Sequence, residues 1–90
     1  MRVVCPYVDL HPLTDRALTE WAPDAERIWV GESEVGSYYE LLARLWREGR
    51  SFLVVEQDIE IHRQVVSQAK RCTRPWCVWP ARWRVSLRSR

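Results

Sequence analysis

Three glycines and five prolines in ninety residues leave little room for linkers or low-complexity stretches, which excludes disorder over most of the length. No apolar run approaches the ~20 residues that a membrane span needs. The start, MRVVCPYVDLHP, lacks a long apolar core and a small-residue cleavage site, so the expectation is a cytoplasmic chain without a signal peptide. C-x-x-C is missing, and the three cysteines, Cys5, Cys72 and Cys77, are odd in number. That argues against a disulfide framework or a zinc knuckle and for reduced thiols, although Cys72 and Cys77 can pair across a loop under oxidation. G-x-G-x-x-G and the Walker motif are absent, which counts against dinucleotide binding and ATP hydrolysis. Ser33, Ser37 and Ser67 stand in no His–acid pattern that would activate a nucleophile. Residues 63–90 contain no acid at all.

What is present is as uneven as what is missing. All 12 acids lie in residues 1–62, which carry a net charge of −6, and residues 63–90 carry +8. Such asymmetry implies attraction within the chain or a basic segment with an anionic partner. Six tryptophans supply large packing units to a chain that buries only ~60–65% of its unfolded surface.

The apolar pattern alternates between strands and helices. Val3, Val4 and Cys5 run unbroken into Pro6-Tyr7, as in a strand buried on both faces. Thr14 is the expected N-cap of a first helix, with Asp15 in its first turn, a Leu13–Leu18 staple, and Ala17, Leu18 and Trp21 facing inward. Pro23 ends it. His11 is expected in a solvent-facing loop. Arg27 to Val30 reads as a second strand closed by Gly31. Ser37 and Glu40 match a capping box for a second helix, with Tyr38, Leu41, Leu42, Leu45 and Trp46 on one face and Gly49 as the residue past its end. Phe52 to Ile61 reads as a third strand. A helix over 63–71 turns Val65, Val66 and Ala69 inward, and Trp76 to Trp79 reads as a fourth strand. The order β-α-β-α-β-α-β predicts an α/β fold: one three-layer domain, a small mostly parallel sheet of about four strands, helices on its faces, and right-handed crossovers.

Glu56, Asp58, Glu60 and His62 are spaced two apart. On a strand they share one face, ~6–7 Å between successive members. Three carboxylates packed in a dry core would repel one another and lose hydration, so the row belongs where the strand leaves the sheet. Ligands of open α/β sheets bind outside the carboxyl ends of the strands, where the strand order reverses. If the strand order is 2-1-3, that crevice lies between the first and third strands, and Pro6, Tyr7 and Asp9 form its other wall. Acids at a strand end suit a hard divalent cation, Mg²⁺ or Mn²⁺, which takes oxygen ligands and keeps room for phosphates. The bland alternative is a solvated acidic strand end. His62 fits a helix-entry histidine better than a ligand.

The stretches RVVCPYVD, ERIWV, SYYELLARLWREGRSFLVVEQDIEIH and PWCVWP together resemble the N-terminal half of a GT-A-type glycosyltransferase. They are similar in particular to small glycosyltransferase-like proteins of actinobacteria and their phages. The resemblance covers residues 1–80 and implies a Rossmann-like half-fold that binds a nucleotide-diphosphate sugar through a divalent metal. It assigns the metal to Glu56 and Asp58, at the positions of a D-x-D motif, with Glu60 and His62 as further candidates. Pro6, Tyr7, Asp9 and Glu32 fall near base and ribose, and Tyr39 offers a stacking surface. The first acid is Glu, not Asp. Nothing after Pro80 resembles an acceptor-binding half, so the expectation is a truncated unit with weak turnover or none, and no catalytic residue is assigned.

Residues 81–90, ARWRVSLRSR, alternate Trp83, Val85 and Leu87 with Arg82, Arg84, Ser86 and Arg88. This is the pattern of an amphipathic strand. It can fold back on the sheet edge, pair with a second copy, or bind a host protein, the last being the non-catalytic alternative for the whole chain. Nucleic-acid binding through these arginines is the weakest of the readings.

Overall fold

The computed structural model describes residues 1–31 and 35–78, with the backbone alone at 35 and 36. The elements are β1 (Arg2–Tyr7), α1 (Pro12–Trp21), β2 (Glu26–Trp29), α2 (Val35–Arg47), β3 (Phe52–Val54) and α3 (Val65–Lys70). Together they form an α/β fold around a parallel sheet ordered β2-β1-β3. Among the described residues there are three strands where about four were expected for the chain: Trp76 to Val78 carry no strand, and Trp79, Pro80 and residues 81–90 lie outside the described residues. No helix among the described residues is long and apolar enough to cross a membrane.

β1 is central, and its unbroken apolar run is buried on both faces as its composition requires. Val3 and Cys5 join Ala17 and Leu18 of α1, Leu53, Val55, Ile61 and Val65 in one cluster. Val4 turns the other way and packs with Leu41 and Leu45 of α2. The two crossovers therefore cover opposite faces, and the strand order reverses between β1 and β3.

Pro6 decides where β3 ends. Arg2 N–H donates to the Ser51 carbonyl (3.2 Å) and Val55 N–H to the Val4 carbonyl (2.9 Å), so the even-numbered residues of β1 face β3. The next rung would require an N–H at Pro6, which proline lacks. Pairing stops at Val4↔Val54, and the chain turns instead of running extended to Ile61. Ile59 N–H donates to the Glu56 carbonyl at 3.1 Å.

The helix starts also differ from expectation. α1 begins at Pro12, whose missing N–H is harmless in a first turn, and the N-cap is His11. Its Nδ1 accepts from the Leu13 N–H at 3.1 Å. His11 is thus buried rather than solvent-facing, and Thr14, the expected cap, lies buried inside the helix. Trp21 and Trp46, expected inward, are exposed. α2 starts before Ser37, so Ser37 and Glu40 are helical residues and not a capping box. Its end follows the sequence: Gly49 adopts φ +71°, the left-handed region that glycine enters without cost.

Charged contacts tie the amino end of the sheet together. Arg2 donates to both oxygens of Glu26 and to Glu48, joining β1, β2 and the exit of α2. Arg27 of β2 reaches Asp15 and Thr19 on α1.

Candidate functional site

The carboxyl ends of β1 and β3 meet through one neutral side chain. Gln57 Oε1 accepts from the N–H groups of Val8 (2.8 Å) and Asp9 (3.0 Å), and its carbonyl accepts from His11 N–H (3.0 Å). These bonds hold the turn after β1 against the exit of β3 at the point where the ladder has been interrupted. Sequence reasoning treated Gln57 as the spacer of E-Q-D. The available signal was a long amide between two acids, able to satisfy turn N–H groups that Pro6 leaves without a strand partner.

The structure brings Pro6, Tyr7, Asp9, Glu56 and Asp58 to this end of the sheet, but not as a row. Because the chain turns after Val55, Glu56 is exposed while Asp58 is 8% exposed. Glu60 and His62 are exposed further along. His62 Nδ1 accepts from Gln64 N–H (3.3 Å) and its carbonyl from Val65 N–H (3.0 Å), which places it in the turn that leads into α3, whose N-cap is Gln64. Glu32 lies outside the described residues. Among the described residues, no group of three or more His, Cys, Asp or Glu side chains is arranged to hold a metal.

α2 contributes the aromatic wall. Tyr38 is half-buried and Tyr39 is 66% exposed, and their rings meet edge to face at 6.2 Å. The Tyr38 hydroxyl is held above its ordinary value, first by burial and then by the charge of Glu56. Tyr39 is the exposed member of this aromatic pair on α2.

A groove of about 710 Å³ runs along the outer edge of β3. Glu56 lines it, and its walls include Trp46, Ile59, Val65 and Trp76. Of the candidate metal residues, Glu56 lines it and Asp58, Glu60 and His62 do not. Cys72 and Cys77 form a disulfide beside this groove, and Cys5 is the buried free thiol. The expectation of reduced thiols is corrected for the first pair: α3 ends at Lys70 and the loop through Pro75 returns Cys77 to Cys72. Family models, curated proteins and solved structures were compared with this chain, and none matches.

Proposed function

We propose that the chain binds a nucleotide-diphosphate sugar at the carboxyl end of its sheet, with Mg²⁺ or Mn²⁺ held chiefly by Glu56. The carrying observation is the reversal of strand order between β1 and β3, where Gln57, flanked by Glu56 and Asp58, holds the turn through Val8 and Asp9, the place where open parallel sheets take their ligands. The donor set fits a hard cation: carboxylate oxygens from Glu56 and Asp58, with further positions left to water and phosphate. Such a cation, when bound, offsets the charge of the diphosphate. Asp58 is the mostly buried acid of the pair, and the exposed Tyr39 offers a ring to the base. The resemblance to the nucleotide-binding half of GT-A-type enzymes points the same way. Nothing assigns a catalytic base or an acceptor site, so the proposal is binding rather than turnover.

Thermal unfolding against a panel of UDP- and GDP-sugars, with and without Mn²⁺, tests this. A ligand at 100 times its Kd adds ~2.7 kcal/mol, and the gain should need both sugar nucleotide and metal. Glu56→Gln, at an exposed position, should abolish it while leaving the unliganded midpoint in place. No shift across the panel, or the same shift in the variant, overturns the proposal.

A further inference from the structure

The loop after α3 is closed on itself by the Cys72–Cys77 disulfide, whose half-cystines are 5 residues apart in sequence. The ring stands outside the core: among the described residues, both apolar clusters draw their members from residues no later than Ala69. Cys77 is exposed and Cys72 half-buried, so Cys77 is the more accessible end of the bond. Cys72 Sγ lies 3.7 Å from the Arg74 carbonyl oxygen, an acceptor for the thiol that Cys72 becomes when the bond opens. Arg71 and Arg74 flank Cys72 in sequence, and residues 63–90 contain no acid. Positive charge favours a departing thiolate, and exposed disulfides are the labile, regulatory or catalytic ones.

We propose that Cys77 is a thiol–disulfide exchange site that takes a small thiol or dithiol as its substrate, and that the exchange sets the wall of the groove along β3. The incoming thiolate attacks Cys77 Sγ. A bond forms between those two sulfurs as the Cys72–Cys77 bond breaks, and the electron pair leaves on Cys72 Sγ, which takes a proton from water. A second thiolate, or the second sulfur of a dithiol, then attacks the reductant's sulfur in the mixed disulfide. The reductant departs oxidised, as a disulfide, and Cys77 is left as the second free thiol, so two electrons pass to the chain. Trp76 lies inside the ring and lines the groove with Cys72 and Cys77. At 75% exposed it is held there by the closed ring more than by burial. Opening the ring returns conformational freedom to residues 73–77, and the Trp76 wall is no longer fixed. The core does not share in the change, because neither Cys72 nor Cys77 belongs to a cluster. Cys5, which does, is buried and stays out of the exchange.

The inference does not depend on nucleotide binding, and its test reads neither metal nor sugar. The full chain, purified under air, is treated with dithiothreitol without denaturant and alkylated with iodoacetamide. Expected are labels on Cys72 and Cys77, at a rate at least ~10-fold above that of Cys5. A brief pulse of glutathione, quenched in acid, should leave its adduct on Cys77. On reduction, NMR order parameters at Thr73, Trp76 and Cys77 should fall below ~0.6, while those of Val4 and Cys5 stay near ~0.85. Cys72→Ser/Cys77→Ser should reproduce the reduced pattern without any reductant. Absence of the bond from the air-purified chain overturns the proposal, as does labelling of Cys5 in step with the pair, an adduct on Cys72 instead of Cys77, or loop motion that ignores reduction. A double variant that loses amide protection at Val4 overturns it too, because the bond is then one the fold requires.

Discussion

The two ends of the sheet are held by different chemistry. At the amino end the tie is ionic: the Arg2 guanidinium spans Glu26 and Glu48. At the carboxyl end it is the neutral amide of Gln57, placed between the turn after β1 and the exit of β3. A guanidinium engages acids that would otherwise repel one another across three elements. An amide between Glu56 and Asp58 holds a loop without adding a third charge to a place that already has two carboxylates. Both ends converge on β1, and charge is used where the surface only has to be closed. The neutral tie stands where the local electrostatics would shape what can bind.

The largest expected effect ignores the difference between the ends. Leu45→Ala empties the contact with Val4 at the middle of β1 and should cost about 2–5 kcal/mol in urea unfolding. Amide protection should fall at both ends together; loss confined to one end would show that they are held independently. Gln57→Ala should cost about 1–2 kcal/mol and speed exchange at Val8 and Asp9 while leaving Arg2 and its neighbours unchanged.

Acid separates the ends further. The hydrogen bond from Arg2 holds the Glu26 carboxyl below its ordinary range. Because the folded value is the lower one, the stabilisation is present above the unfolded value, ~4.3, and is lost as pH falls through the folded value. Arg2→Met should remove this acid-side decline in the urea midpoint, and high salt should mimic it; Gln57→Ala should not. The smallest effect is alkaline. Burial pushes the Cys5 thiol up to about 11, so stability should decline as pH rises from the ordinary thiol value, ~8.5, towards that figure. Cys5→Ala should flatten the decline. In the folded chain at pH 8 the thiol should resist alkylation, labelling only as fast as the protein opens.

Much of the fold was legible because burial and helix periodicity are local properties. Val3 to Cys5 read correctly as a strand covered on both faces, Leu41 and Leu45 as the buried face of α2, Val65 with Val66 and Ala69 as that of α3, and Gly49 as the residue past α2. The candidate site was less legible. The spacing of Glu56, Asp58, Glu60 and His62 predicts a shared face only if the strand continues, and it does not. His11 looked like a loop residue because its role as a cap depends on Pro12 starting the helix one position later. Trp21 and Trp46 looked inward by period, but the sheet is too narrow to cover so broad a face on either helix.

The amino-acid order by itself determined that strands and helices alternate, that β1 is buried on both faces, and that the acids gather after β3 while positive charge gathers beyond them. Those outcomes follow from periodicity and charge along the chain. Only the tertiary structure decided that β3 stops at Val54, that Asp58 turns inward while Glu56 stays out, and that Gln57 fastens the crevice. The reason is a hydrogen bond that cannot form: Pro6, remote in sequence, has no N–H to offer where the register brings β3 beside it, and no local pattern in residues 52–62 records which neighbour they will meet.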